Sequence, residues 1–141
     1  MRSTAELVKR FRSHGLKVTP QRTVVFDVLQ GDSAHPTAES VFEAARQRQP
    51  TLSLKTVYQT LGELARLGEI SALDLGTGAA RYDPNVETPH HHLVCDGCGA
   101  VRDVEASVGD LRVPASRRDF TITSAEVIFR GVCGACAAST D

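Results

Sequence analysis

Apolar residues recur at helical spacing through the first half of the chain and at strand spacing through parts of the second. Leu7, Val8 and Phe11 lie about one turn apart and predict a first helix over residues 4–13, with Gly15 as its stop. Thr19-Pro20 supplies an N-cap and a first helical position for a second helix ending near residue 29, whose Val24, Val25 and Val28 turn inward. After His35-Pro36, Thr37 caps a third helix with Val41, Phe42 and Ala45 on its apolar side. Pro50 ends the following loop, and Ser53 caps a fourth helix over residues 54–67. There Leu54, Val57, Leu61 and Leu64 form one stripe, while Lys55, Thr56, Gln59, Glu63 and Arg66 lie off it. Beyond Gly68, residues 69–75 and 79–83 read as two short strands joined by Gly76-Thr77-Gly78 in an antiparallel hairpin.

Helices followed by a hairpin are the layout of a winged helix-turn-helix domain, whose fourth helix would offer its polar face to the major groove of DNA. A small helical module that binds another protein shares this pattern. Residues 84–89 are bounded by proline and mark a hinge, since the charge balance changes there. Further on, residues 92–95, 100–104 and 125–131 read as strands of a small antiparallel sheet, and 105–119 as a helix that Gly109 and Pro114 interrupt. The fold class expected is therefore α+β: a winged-helix domain over 1–83, a hinge over 84–89, and a small α/β domain over 90–141.

Every cysteine of the chain belongs to one of two Cys-x-x-Cys pairs, Cys95/Cys98 and Cys133/Cys136. Two such knuckles supply four thiolates, the ligand set of a closed tetrahedral zinc site, one Zn(II) per subunit. The alternatives are vicinal disulfides or a redox motif, although a thioredoxin-like site needs a single pair in a βαβ setting. A closed site holds structure and does no chemistry, and an enzyme working through these groups would need an exposed low-pKa thiol or an open zinc position. At 141 residues the chain can form one ordinary domain or two small ones, and a small unit gains from a metal staple. No long apolar run or charged-then-apolar leader begins the sequence, so no membrane partner is expected and the cytoplasm is the expected compartment, where thiols stay reduced. The net charge is −1, yet residues 1–30 carry Arg2, Lys9, Arg10, Arg12, Lys17 and Arg22 against Glu6 and Asp27. Such a face suits either phosphates or plain solvent.

The motifs GLKVTPQR (15–22), HPTAESVF (35–42), TVYQTL (56–61), ARYD (80–83), HHHLVCDGCG (90–99) and CGAC (133–136) together resemble the ferric uptake regulator (Fur) family, most of all its peroxide-sensing branch, PerR. The resemblance covers about residues 5–136. It implies a homodimer with N-terminal winged-helix domains, C-terminal dimerisation domains and a regulatory metal site at the hinge. It also implies a transcriptional repressor, not an enzyme, acting on an AT-rich, inverted-repeat operator in double-stranded DNA.

By the same resemblance the regulatory ligands fall on His35, Asp83, His90, His92 and Asp103, one Fe(II) or Mn(II) per subunit. Imidazoles with carboxylates suit those ions, and five ligands leave one octahedral position for peroxide. His91 points to the other side of its strand and is read as a non-ligand. Iron sensors of the family tend to carry Glu where this chain has Asp103. A further site found in many iron sensors falls here on Ala125, Pro89 and His91 and is expected to be absent. On the DNA side, Tyr58 matches a tyrosine that touches bases, by contact with a thymine methyl. Lys55, Thr56 and Gln59 share its exposed face, and Lys17 and Arg22 would sit at phosphates. The family's dimerisation helix is usually unbroken, and the Gly109 and Pro114 interruptions depart from it. The reading implied is a repressor of peroxide-defence genes, released when peroxide at Fe(II) oxidises His35 or His90. The alternative is an iron, manganese or zinc uptake regulator of the same fold.

Overall fold

The computed structural model describes residues 1–109, 112–113, 119–123 and 125–139, and the chain divides into two compact units, Met1–Thr88 and Pro89–Asp141. The segment expected as a hinge, 84–89, contains that boundary. Its first residues are tied to the first unit, because the Asn85 amide donates to Asp83 Oδ1 at 2.7 Å and the N-terminal ammonium to the Pro84 carbonyl at 2.7 Å.

In the first unit, four helices start where short polar side chains satisfy the amides of the first turn. Helix α1 (Thr4–Ser13) opens with a capping box between Ser3 and Glu6. Helices α2 (Pro20–Leu29), α3 (Ala38–Arg46) and α4 (Leu54–Arg66) are capped by Thr19, Thr37 and Ser53. Leu7, Phe11, Val25, Phe26, Leu29, Val41, Val57, Leu61 and Leu64 make one apolar core, in which Phe11 and Phe26 meet edge to face at 4.8 Å. Each fully buried side chain of this size contributes about 1.5–3 kcal/mol. This core fixes α4 by its leucine stripe and leaves the opposite side outward.

Strands β1 (Ser71–Leu73) and β2 (Arg81–Asp83) pair antiparallel, with Ser71 opposite Asp83. They are shorter than the alternation predicts. Asp74 Oδ1 accepts the Gly76 amide at 3.1 Å, and Gly76 and Gly78 hold positive φ, so the chain leaves the ladder early.

Two acidic residues depart from the sequence reading. Glu63, counted with the polar side of α4, is buried, and Glu69 is 1% exposed. Each is paired: Glu63 with Arg22, and Glu69 with Arg2 and Arg10. Helical periodicity marks Glu63 as polar but carries no information on a cation brought in from another helix.

In the second unit, β3 (His91–Cys95) lies between β4 (Val101–Val104) and β5 (Ile128–Gly131). The first pair is antiparallel, with His92 opposite Asp103. The second is parallel, with His92 opposite Ile128, which corrects the expected all-antiparallel sheet. Residues 105–127 provide the long connection that a parallel neighbour requires. The residues of 105–109, 112–113 and 119 are not helical, and the remainder of the helix expected over 105–119 lies outside the described residues. Helix α5 (Gly134–Ala138), which the periodicity does not signal, begins at Cys133 as N-cap.

Candidate metal centres

The two knuckles converge within the second unit. The β3–β4 turn carries Cys95 and Cys98, and the start of α5 carries Cys133 and Cys136, with all four Sγ atoms within 4.8 Å of one another. Cys98 and Cys133 Sγ are 3.8 Å apart. A disulfide would need about 2.05 Å, whereas a zinc tetrahedron with Zn–S near 2.3 Å has sulfur–sulfur edges of about 3.8 Å. The four-thiolate geometry therefore fits and the disulfide reading does not; none of the four cysteines is in a disulfide.

Backbone amides prepare the site for a thiolate. Those of Cys133, Cys98 and Gly97 point at Cys95 Sγ and bring its pKa down to about 6. Cys136, sharing hydrogen bonds with the sulfurs of Cys98, Cys133 and Cys95, is pushed up to about 12. One sulfur is thus favoured as an anion while a neighbour keeps its proton, a conflict that a divalent cation resolves for all four at once. Gly97 is required sterically, since a Cβ there would stand 3.0 Å from Cys136 Sγ and 3.1 Å from its Cβ.

Each unit also holds a histidine–carboxylate cluster of its own. In the first, the Tyr82 amide donates to the Pro36 carbonyl at 3.0 Å and Arg81 Nη1 to the His35 carbonyl at 3.2 Å, so β2 is stitched to the His35-Pro36 segment. That places His35 Nε2 and Asp83 Oδ2 3.6 Å apart, both side chains buried. The Ser33 carbonyl can only accept, so His35 donates to it from Nδ1 at 3.0 Å and presents the lone pair of Nε2 to the carboxylate. Two acceptors face each other across a gap too long for a hydrogen bond, and a cation suits that gap. His35 is also the one non-glycine with positive φ among the described residues, at 53°, a strained backbone of the kind found at ligand clamps.

In the second unit, Asp103 Oδ1 lies 3.4 Å from His90 Nε2 and 3.8 Å from His92 Nε2. Antiparallel pairing of His92 with Asp103 sets this contact, and the His90 and His92 rings meet edge to face at 4.9 Å. His91 is on the opposite side of β3, beside Phe129, where its Nδ1 accepts the Val127 amide at 3.3 Å. Glu126 accepts from His92 Nδ1 at 2.7 Å. Sequence reasoning passed over it, since the parallel pairing that brings it there has no short-range signal.

Of the residues expected to meet DNA, Lys55, Tyr58 and Gln59 are exposed on one side of α4, and Lys17 is exposed before α2. Thr56 Oγ1 lies 2.9 Å from Ser53 Oγ at the helix cap. Tyr58 is 46% exposed and donates its hydroxyl to Glu39 at 2.6 Å. Arg22, expected at a phosphate, is 8% exposed, with its guanidinium held by Glu63 at 2.8 Å and by the Lys17 carbonyl at 2.7 Å. Its charge is used inside the unit.

Comparison with known proteins identifies the family. Residues 13–130 match the model of the ferric uptake regulator family. The transcriptional regulator FurA of Mycobacterium tuberculosis is 33% identical, over 99% of this chain and 95% of its own. The ferric uptake regulation protein of Bacillus subtilis is 35% identical, over 91% and 90%. The peroxide-responsive repressor PerR of Staphylococcus aureus is 29% identical, over 93% and 89%. Among solved structures, the Helicobacter pylori ferric uptake regulator superposes with a TM-score of 0.74 at 21% identity, covering 96% of this chain and 95% of that one, and so shares the fold. With a family match over most of its length, the chain belongs to the ferric uptake regulator family of metal-dependent transcriptional regulators, and is not an enzyme.

Proposed function

We infer that the protein is a dimeric, cytoplasmic repressor that senses hydrogen peroxide. In this reading Cys95, Cys98, Cys133 and Cys136 hold a structural Zn(II). His35, Asp83, His90, His92 and Asp103 serve one regulatory Fe(II) or Mn(II). The observation that carries it is the pair of pre-formed nitrogen–oxygen clusters: buried His35 against Asp83 in one unit, and His90 with His92 on a single oxygen of Asp103 in the other. Neutral imidazoles with two carboxylates offset a divalent charge and favour Fe(II) or Mn(II) over softer ions. Asp at 103, in place of the Glu that iron sensors of the family tend to carry, supports the peroxide branch.

Ligation by residues of both units would select one arrangement of the dimer, in which α4 of each subunit meets a half-site of an AT-rich inverted repeat. Tyr58, Lys55, Thr56 and Gln59 would face the bases, with Lys17 at the backbone. Bound Fe(II) would supply the redox chemistry that activates peroxide, which is the oxidant: one of its oxygens would be added to a ligand imidazole, His35 or His90, and the other would leave as water. Loss of that imidazole removes a link between the units and releases DNA, so peroxide-defence genes are the targets this reading assigns. The test is mass spectrometry of the Fe(II)-loaded protein after mild peroxide. Added oxygen on the peptide containing His35 or His90 is expected, and its absence sinks the peroxide reading.

A second reading has its own support. The relative with 35% identity is a ferric uptake regulation protein, against 29% for the peroxide-responsive repressor. An iron, manganese or zinc uptake regulator would use the same clusters without histidine oxidation. Titration of DNA binding with each metal separates these possibilities.

A further inference from the structure

We propose that Glu126 is the positioning residue for His92, fixing which ring nitrogen faces the regulatory metal. The proposal rests on the metal-site reading above and extends it to a residue that the expected ligand set does not contain.

His92 is 3% exposed, so its ring exchanges no hydrogen bond freely with bulk water. Its Nδ1 lies 2.7 Å from Glu126 Oε1, the short distance of a charge-assisted bond. A carboxylate accepts and an imidazole nitrogen donates only where it is protonated, so the bond keeps the proton on Nδ1. The lone pair is then on Nε2, the atom directed toward Asp103 and beside the ring of His90. A metal-ligating histidine works best when its other nitrogen donates to an oxygen in this way, because the bond holds the tautomer, aims the ring and makes the coordinating nitrogen more basic.

The backbone makes this contact reproducible. The His92 amide donates to the Val127 carbonyl at 3.3 Å, and His92 pairs with Ile128 across the parallel ladder. Glu126 is next to that junction, so its reach to Nδ1 follows from sheet register. The carboxylate is 43% exposed, and no core packing asks for a buried acid there; the hydrogen bond to His92 is what occupies it.

The experiment uses the full chain with its zinc retained. In metal-free nitrogen NMR, His92 is expected as the Nδ1–H tautomer, moving toward the Nε2–H form in Glu126→Ala. Electron paramagnetic resonance titration is expected to show manganese binding about 10–100-fold weaker in Glu126→Ala, the usual loss on removing such an outer partner. Glu126→Gln keeps an acceptor oxygen and is expected to lose less than Glu126→Ala, with the tautomer retained. Zinc content and melting temperature, measured before manganese is added, should match the parent. An Nε2–H tautomer in the parent, an unchanged tautomer in Glu126→Ala, or unchanged manganese affinity overturns the proposal. A parent chain that binds no manganese sinks the regulatory reading and the role assigned here to Glu126, while the tautomer measurement still reports whether the bond itself exists.

Discussion

Arg22 Nη1 stands 2.8 Å from Glu63 Oε2, a buried ion pair that joins α2 to the middle of α4. Arg22 Nη2 donates to the other oxygen of Glu63 at 3.1 Å, so one hydrogen bond and the ion pair together hold the carboxylate. Because α4 is the helix that would read DNA, this pair sets its seat.

Removing one partner leaves an uncompensated buried charge, which costs about 3–5 kcal/mol. Arg22→Ala and Glu63→Ala should each lower the unfolding free energy by that order, measured by urea denaturation. The salt dependence of DNA binding by Arg22→Ala is the discriminating readout. A lost phosphate contact reduces the slope of log affinity against log salt by about 1, whereas a seat for α4 leaves the slope intact. A reduced slope with normal stability would return Arg22 to the DNA surface.

Gly97→Ala should strip zinc from the second unit without touching a ligand. The added methyl would meet Cys136 Sγ at 3.0 Å, and the sulfur cannot retreat without leaving the cluster. Expected results are zinc below one per chain by elemental analysis and loss of cooperative melting of the second unit. Zinc release should also follow acidification, since thiols must be deprotonated to bind. Full zinc occupancy in Gly97→Ala would contradict the close approach.

The hydrogen bond from Tyr58 to Glu39 holds the Glu39 carboxyl below its ordinary value of 4.5 and the tyrosine above 10.0. A depressed folded pKa means that the stabilisation is present at neutral pH and is lost as pH falls through the lowered midpoint. Tyr58→Phe should therefore raise the Glu39 titration midpoint in carbon NMR, and an unmoved midpoint refutes the bond. DNA binding supplies a second measure. If Tyr58 meets a thymine methyl, Tyr58→Ala should weaken binding by about 1–3 kcal/mol and relax preference at one base pair. Lys17→Ala, at the backbone, should instead weaken all sequences alike.

Local rules made the first unit legible. Ser3, Thr19, Thr37 and Ser53 are caps followed by apolar periodicity, and each governs only the turn after it. The cysteine cluster was legible because both knuckles announce their spacing. Contacts set by sheet order were not: β5 lies parallel to β3, and only that arrangement brings Glu126 to His92. The same holds for Glu63 and Glu69, whose burial depends on arginines 41 and 67 residues away. Long-range pairing of charge leaves no period in a sequence.

Asp103 offers the most direct test of the regulatory cluster, because His90 and His92 both approach its Oδ1. Asp103→Asn keeps the shape but removes the negative charge that offsets a divalent cation, so manganese binding should weaken by tenfold or more, of the order of 1.4 kcal/mol. Zinc should stay at one per chain, since the thiolate cluster is a separate set of ligands. Metal-dependent operator binding, followed by fluorescence anisotropy, should shift to higher manganese by the same factor. The converse variant, His91→Ala, removes a ring that accepts the Val127 amide on the far side of β3 and should leave manganese affinity unchanged. If His91→Ala weakens manganese binding as strongly as Asp103→Asn does, strand alternation has assigned the wrong histidine to the site.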